Sequence, residues 1–203
     1  MQQYTILFDL DGTLVDTAPD LMLAHNHVMK QFGYDTKSTE DIRNLVGQGA
    51  GALIGRSIWG QAKKEFGKVQ DEKIKKEMVK DFIDFYGKNI INESKLIDGV
   101  KDFLIWAKDK GISMAVCTNK TEYLAVDLLK KIGIYDFFEY VAGHNTFSYC
   151  KPDPRHLTSV IEILNGDIKK SLMIGDSETD ANAAKETGIP VILLEDGYTE
   201  KNI

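Results

Sequence analysis

Two aspartates near the start of the chain have the type and spacing for phosphate chemistry. Asp9 and Asp11 lie just beyond the short apolar run Tyr4–Phe8, within the segment Phe-Asp-Leu-Asp-Gly-Thr-Leu of residues 8–14. A run of this length that ends in a polar cluster is typical of a buried strand, and side chains two apart on an extended backbone face the same way. We therefore expect both carboxylates to point into one crevice at the carboxyl end of the strand.

Gly12, directly after the second carboxylate, favours an anion site at this turn. Glycine lets the chain turn sharply, so backbone amides can approach a phosphate that two carboxylates alone would repel. The alternative is an Asp-Gly turn after a strand, with acids present only for solvation. The full pattern Asp-x-Asp-Gly-Thr on an apolar strand favours the phosphate site, and two carboxylates this close call for a cation.

Polar residues also follow later predicted strands, and in an open parallel sheet ligands bind outside the carboxyl ends of the strands. Thr118, Asn119 and Lys120 follow Ser113–Cys117. Their hydroxyl, amide and backbone N–H groups can hold phosphate oxygens, although Thr-Asn also caps helices.

Two further segments can likewise be interpreted either as part of a phosphate site or as the start of a helix. Lys151 opens Lys-Pro-Asp-Pro, in which the prolines predict a helix start and place the ammonium near the entrance of that helix. Asp176 stands in Gly-Asp-Ser-Glu-Thr-Asp, residues 175–180, after the predicted strand Ser171–Ile174. Each segment is also compatible with nothing more than a capped helix start.

In this order, the four segments resemble the signatures of the haloacid dehalogenase superfamily. The resemblance implies that Asp9 is the nucleophile and Asp11 the general acid and base of a phosphatase. It also implies that Thr118 and Asn119 bind the transferring phosphoryl group, and that Lys151 offsets the crowded carboxylates.

The resemblance further implies a Mg²⁺ site. Hard cations such as Mg²⁺ take oxygen ligands and usually only one or two carboxylates. Asp9 and Asp176 fit that count, and the family adds the backbone carbonyl of Asp11. Asp180 is expected to reach the metal only through water or another group, and to orient Lys151.

Substrate choice is expected to lie in a helical insertion, because a phosphate site alone reads every monoester alike. Residues 42–49, Ile-Arg-Asn-Leu-Val-Gly-Gln-Gly, together with residues 15–21, resemble bacterial phosphoglycolate phosphatases. Gly47, Gln48 and Gly49 are expected to let the backbone lie against a small leaving group.

Arg43 is the candidate partner for a carboxylate on the substrate. A guanidinium pairs with planar anions in a fork of two hydrogen bonds. The alternative is that Arg43 is an exposed helix residue beside Asp41, and the sequence leaves both open.

The periodicity predicts an α/β fold, a Rossmann-like parallel sheet with helices on both faces and an inserted all-helical cap. Apolar spacing predicts a helix that Thr17 caps with Asp20 and that Gly33 ends, and another over about Glu72–Tyr86. From Val100 onward short strands and helices alternate, which is typical of a parallel sheet. We assign residues 1–15 and 90–203 to the core and 16–89 to the cap.

Composition narrows the class of protein. The chain has 203 residues, 43% of them hydrophobic, and a formal net charge of -6, which argues against a nucleic-acid-binding surface. The start of the chain has no cationic region before an apolar core, and no uncharged run approaches the roughly 20 residues of a membrane helix. We expect a cytoplasmic monomer or homodimer that contacts neither nucleic acid nor membrane. Its two cysteines are expected to be free thiols, and its four histidines structural.

The function expected is Mg²⁺-dependent hydrolysis of a small phosphate ester through an aspartyl-phosphate, with 2-phosphoglycolate as the substrate. Related enzymes with the same signatures hydrolyse other monoesters or pyrophosphate, or isomerise sugar phosphates. A different class, the receiver module that is phosphorylated on Asp, also fits an acidic pocket with a Thr and a Lys. The helical insertion and Asp11 argue against that class, because a long-lived phosphoaspartate is better kept without an acid-base group.

Overall fold

A five-stranded parallel sheet forms the centre of the fold in the computed structural model, which describes residues 4–59 and 68–198. The strands are β1 Thr5–Phe8, β2 Val15–Asp16, β3 Lys95–Leu96, β4 Ser113–Cys117, β5 Tyr140–Ala142, β6 Ser171–Gly175 and β7 Val191–Leu193. The spatial order in the five-stranded sheet is β5-β4-β1-β6-β7. The two shorter strands, β2 and β3, pair separately and antiparallel.

The helices fall into two groups along the chain, four before β3 and four after it within the described residues. The first group is α1 Ala18–Phe32, α2 Thr39–Arg43, α3 Ala50–Trp59 and α4 Lys68–Lys88. The second group is α5 Val100–Asp109, α6 Glu122–Lys131, α7 Arg155–Ile163 and α8 Glu178–Thr187. In the part of the chain described, none of these helices is both long and apolar enough to span a membrane.

The core lies on both faces of the sheet, as the alternation of side chains along β1 requires. Ile6 and Phe8 belong to one buried cluster, which includes residues of α5 and α6. Leu7 belongs to another, which includes residues of α7 and α8. The predicted parallel sheet with helices on both faces is therefore confirmed.

The register of the sheet brings three polar strand ends together. Phe8, the last residue of β1, pairs with Val116 of β4 on one side and with Ile174 of β6 on the other. The residues that follow these strands therefore meet at the same edge. They are Asp9, Thr118 and Asp176.

The ribbon of β2 and β3 marks where the chain leaves the sheet and returns to it. Val15 pairs with Leu96, and Asp16 with Lys95. Helices α1–α4 lie between the two strands in sequence, so the ribbon closes the base of a helical segment. The exact division into residues 16–89 and the remainder stays a prediction, and both parts include residues outside the described ranges.

The start of α1 differs from the predicted cap. Thr17 makes no capping hydrogen bond, and its hydroxyl donates instead to Asp11 Oδ1 at 2.6 Å. Asp20 accepts the backbone N–H groups of Glu93 and Ser94, at 2.9 to 3.1 Å, and so ties α1 to the returning chain. Thr17 does stand at the predicted N-cap position, but the expected capping by its side chain and that of Asp20 is wrong, because both side chains bind groups brought near by tertiary structure. The helix does end at Gly33, in the left-handed conformation.

Candidate active site

Asp9 is buried at the carboxyl end of β1, with 5% of its surface exposed. Its backbone N–H donates to the carbonyl of Ile174 at 2.9 Å, which continues the sheet pairing and fixes the residue. Lys151 Nζ lies 3.0 Å from Asp9 Oδ1. Burial raises the pKa of Asp9 to about 8, and the charge of Lys151 only partly opposes this. More positive charge is needed to keep Asp9 ionised at neutral pH.

Asp180 holds Lys151 against Asp9. Its Oδ1 accepts a hydrogen bond from Lys151 Nζ at 2.5 Å, and its Oδ2 accepts the N–H and hydroxyl of Ser177 at 3.0 and 2.6 Å. Burial alone lowers the pKa of Lys151, but the charges of Asp180 and Asp9 outweigh it and raise that pKa above its usual value. Ser177 and Asp180 also form the capping box of α8. The same carboxylate therefore caps a helix and orients the ammonium.

Asp176 lies at the end of β6 with both carboxylate oxygens hydrogen-bonded. Oδ1 accepts the hydroxyl of Thr13 at 2.9 Å, and Oδ2 accepts the backbone N–H of Tyr198. Burial, and then the charge of Asp180, raise the pKa of Asp176 to about 6. A Cβ on Gly12, whose φ is 83°, would lie 2.3 Å from Asp176 Oδ2. Glycine is needed there both for the backbone conformation and for this close approach.

Asp11 has partners of its own. Lys120 Nζ lies 2.7 Å from Oδ1 and 2.9 Å from Oδ2 of Asp11, and the hydroxyl of Thr17 donates to Oδ1. The ammonium of Lys120 lies 4.6 Å from the centre of the Tyr86 ring. Asp9 and Asp11 therefore lie at one crevice, each with a different lysine.

The loop before α3, which includes Gly47 and Gly49, contacts Asn119, one of the residues expected to bind phosphate. The side-chain N–H groups of Asn119 donate to the carbonyls of Gly47 and Lys151, both at 3.0 Å. Gly49 has a φ of 82°, and a Cβ there would approach the carbonyl of Asn119 to 3.0 Å. Thr118 Oγ1 accepts the N–H of Lys120 at 3.1 Å, which leaves its hydroxyl proton to donate elsewhere.

A cavity of about 50 Å³ lies between this loop, the strand ends and helices α1, α3, α4 and α6. Its polar lining comes from the two carboxylates and the loop after β4, and its apolar lining from the helical segment and α6. The polar lining includes Asp9, Asp11, Thr118, Asn119 and Lys120, and the apolar lining includes Leu21, Leu53, Phe82, Ile83 and Leu124. Gly47 and Gly49 complete the wall, whereas Gln48 is exposed and is not among the described lining residues.

Arg43 lies outside this lining, at the end of α2. Its guanidinium pairs with Asp16 Oδ2 at 2.7 Å and lies 5.3 Å from the centre of the Tyr198 ring. Burial alone raises the pKa of Asp16, but hydrogen bonds from Tyr198 and Arg43 outweigh it and lower that pKa. In the structure, the positive charge of Arg43 is therefore paired with Asp16 and is not directed into the cavity.

Comparison with known proteins places this arrangement in a family. A family model described as haloacid dehalogenase-like hydrolase matches residues 6–194. The chain belongs to that family. All four segments that resemble the family signatures lie within the matched residues.

Individual relatives in the haloacid dehalogenase-like family align along nearly all of the chain. Phosphoglycolate phosphatase of Mesorhizobium japonicum is 37% identical over 203 residues, which are 100% of this chain and 87% of the relative. Phosphoglycolate phosphatase of Caulobacter vibrioides is 39% identical over 199 residues, 98% of this chain and 82% of the relative. The crystal structure of a predicted phosphoglycolate phosphatase from Haemophilus somnus 129PT has a TM-score of 0.89 and 33% identity, and covers 98% of this chain and 88% of its own.

The buried acidic group of this hydrolase fits a hard divalent cation. Carboxylate oxygens of Asp9, Asp176 and Asp180 lie within 4.8 Å of one another, and all three residues are buried. Asp180 accepts from the Lys151 ammonium on one oxygen and from three further donors on the other, whereas each oxygen of Asp176 accepts a single hydrogen bond from a neutral donor. Asp9 and Asp176 are therefore the carboxylates best placed to bind an ion. Their raised pKa values indicate that Lys151 alone does not balance the group. Whether the carbonyl of Asp11 joins them stays a prediction.

Sequence reasoning did not assign roles to several residues of the site. The missed groups share one property, which is that each donates a hydrogen bond to a carboxylate of the site. They are Thr13, Thr17, Lys120, Ser177 and Tyr198. Thr13, Thr17, Lys120 and Ser177 had a signal, since each lies in a segment already singled out, whereas Tyr198 had none.

Metal removal should make stability depend on pH. We expect the Tm of chelator-treated protein to fall as the pH rises from about 4 to 8. A carboxyl whose pKa is raised by folding, here Asp9 from 3.8 to about 8, contributes stability below its unfolded pKa and loses it as pH rises through the folded one. Mg²⁺ should restore stability most at the high end. Thermal melts at several pH values, with and without Mg²⁺, measure this.

The matched variant for this test is Asp9→Asn, which removes the titrating group and keeps the shape. It should show a smaller loss of Tm between pH 5 and 8 than the metal-free wild type. Equal slopes for the two proteins would mean that Asp9 is not the group whose burial limits stability.

Proposed function

We propose that the chain hydrolyses phosphate monoesters through an aspartyl-phosphate on Asp9, and that 2-phosphoglycolate is its substrate. The observation that carries the proposal is the division of partners between two neighbouring carboxylates. Asp9 lies against Lys151, whereas Asp11 lies against Lys120 and Thr17. One carboxylate can therefore attack phosphorus while the other handles a proton.

In the first step, a carboxylate oxygen of Asp9 forms a bond to phosphorus as the bond from phosphorus to the ester oxygen breaks. An alkoxide is a poor leaving group at neutral pH, so Asp11 in its protonated form donates a proton to it. Lys151 offsets the negative charge that otherwise opposes attack by an anion, whereas the backbone N–H of Gly12 donates to the carbonyl of Val15 and is not free for the phosphate. The products are the alcohol and the phosphoaspartate.

In the second step, water attacks phosphorus, the ionised Asp11 takes its proton, and the bond between Asp9 and phosphorus breaks. In the structure Asp11 pairs with the Lys120 ammonium, which is the arrangement that an ionised carboxylate adopts. A bound Mg²⁺, held by Asp9, Asp176 and the carbonyl of Asp11, would supply positive charge to the phosphoryl oxygens. Phosphate leaves and the starting protonation state returns.

The relatives support 2-phosphoglycolate as the substrate. Those from Mesorhizobium japonicum and Caulobacter vibrioides are named phosphoglycolate phosphatase and align over 100% and 98% of this chain. The small cavity beside Asp11 is consistent with a small leaving group.

A panel of phosphate esters tests the substrate. With Mg²⁺ present, kcat/KM for 2-phosphoglycolate should exceed that for ethyl phosphate, a sugar phosphate, a nucleoside monophosphate and pyrophosphate by roughly tenfold or more, the scale on which one added contact discriminates. Release of inorganic phosphate is the measurement.

Other results of the panel point to other functions. Preference for a nucleotide, a sugar phosphate or pyrophosphate would overturn the substrate while leaving the hydrolase intact. Interconversion of a sugar phosphate without release of phosphate would indicate a mutase. A phosphoenzyme that persists without turnover on any ester would indicate a receiver module.

A further inference from the structure

We infer that the Lys120 ammonium recognises the second anionic group of the substrate, its carboxylate, and thereby sets the preference for an anionic leaving group. The inference rests on the proposed function and assigns its specificity to one residue. Lys120 follows β4, lines the cavity beside Asp11, and has a side chain that is 5% exposed.

The contacts of Lys120 leave room for a ligand. An ammonium carries three N–H donors. The two oxygens of Asp11, at 2.7 and 2.9 Å, accept from Lys120 Nζ, which also lies over the Tyr86 ring at 4.6 Å from its centre. One donor can therefore be directed at a carboxylate oxygen of a bound substrate without breaking the contact with Asp11.

The other cations near the site are committed elsewhere. Lys151 lies between Asp9 and Asp180, with its ammonium paired to both carboxylates. Arg43 pairs with Asp16 and does not line the cavity. Among the described residues that line the cavity, Lys120 is the one with a cationic side chain.

The rest of the cavity makes a cation necessary for an anionic leaving group. Leu21, Leu53 and Phe82 form part of its apolar wall. An unpaired carboxylate against such a wall loses hydration without compensation. A carboxylate beside Lys120 recovers that loss through a charge-assisted hydrogen bond, whereas a neutral leaving group of equal size gains nothing from the ammonium.

The test compares two esters on matched variants. We expect Lys120→Met to lower the ratio of kcat/KM for 2-phosphoglycolate over ethyl phosphate by roughly 10- to 100-fold, the scale of a hydrogen bond to a charged group. Lys120→Arg should recover part of the ratio. The control Lys130→Met removes an exposed ammonium that lies 4.9 Å from the Tyr135 ring, and should leave the ratio unchanged.

A binding measurement separates recognition from catalysis, because Lys120→Met also removes a partner of Asp11. Calorimetry on proteins that carry Asp9→Asn should show weaker binding of 2-phosphoglycolate when Lys120→Met is added, and little change for ethyl phosphate. The same loss for both esters, in turnover and in binding, would overturn the inference and leave Lys120 as a positioning residue for Asp11.

Two other outcomes are informative. A loss of the ratio in Arg43→Ala, with Lys120→Met unaffected, would overturn the inference in favour of Arg43. A wild-type protein that hydrolyses neither ester would refute the proposed function itself, whereas one that prefers 2-phosphoglycolate and keeps that preference in Lys120→Met would refute only the role of Lys120.

Discussion

Asp9→Asn is expected to lower turnover by on the order of 10⁴-fold or more, the scale of nucleophile removal in enzymes with covalent intermediates. The amide oxygen is too weak a nucleophile to accept the phosphoryl group. Asp9 is buried at the end of β1 beside Lys151, where water cannot easily replace it as the attacking group. Steady-state release of phosphate from 2-phosphoglycolate is the measurement, with circular dichroism and thermal melts to show that the variant folds.

Asp127→Asn is a suitable control for this variant. Asp127 lies on α6 and pairs with Lys131 at 2.8 Å, with 40% of its side chain exposed. Removing its charge should leave turnover near the wild-type value. If purified Asp9→Asn retained most of the wild-type rate, the covalent mechanism would be wrong, and another group would have to accept the phosphoryl.

The parallel sheet, and the edge at which its strands end in candidate site residues, could be predicted from the sequence. Each central strand is a short apolar run followed by polar residues. Burial on both faces makes such runs continuous, and parallel pairing aligns their ends. Strand position alone therefore predicts that Asp9, Thr118 and Asp176 lie at the same edge of the sheet. The family resemblance then assigned their roles.

The ribbon of Val15–Asp16 and Lys95–Leu96 was not predictable in the same way. Two residues per strand are too few to show an alternation, and the pairing depends on the helical segment folding back between them. The binding of Asp20 to Glu93 and Ser94 has the same origin. Local sequence favours a capped helix there, but tertiary contacts decide where the side chains go.

The partner of Asp11 shows the limit of sequence reasoning within the site itself. Lys120 is 109 residues away from Asp11, and its contact follows from the adjacency of β1 and β4. Arg43 shows the reverse case. A cation near the glycine-rich loop suggests a substrate contact, but the Arg43 guanidinium pairs with Asp16 and lies over Tyr198, and Arg43 does not line the cavity. Residue type predicts what a side chain can bind, and the fold decides which partner it reaches.

Asp11→Asn is expected to lower kcat/KM by roughly 10²- to 10⁴-fold on an alkyl phosphate, the range for loss of a general acid. On an aryl phosphate with an acidic phenol the loss should be much smaller, because that leaving group departs without a proton. The ratio kcat/KM is the proper measurement, since it reports events up to phosphoryl transfer to Asp9. The value of kcat also contains hydrolysis of the phosphoaspartate, in which Asp11 acts as the base.

Asp16→Asn is the matched control, because Asp16 is a nearby carboxylate that pairs with Arg43 and does not line the cavity. Any loss of rate in that variant should be the same for both kinds of ester. For Asp11→Asn, phosphoenzyme should also accumulate from the aryl ester, because its formation is spared and its hydrolysis is not. A phosphoenzyme trapped by acid quench, together with unequal losses of kcat/KM, would support both roles of Asp11. Equal losses on the two esters would contradict the role of general acid, and would leave Asp11 as a group that only holds Lys120 and Thr17 beside the cavity.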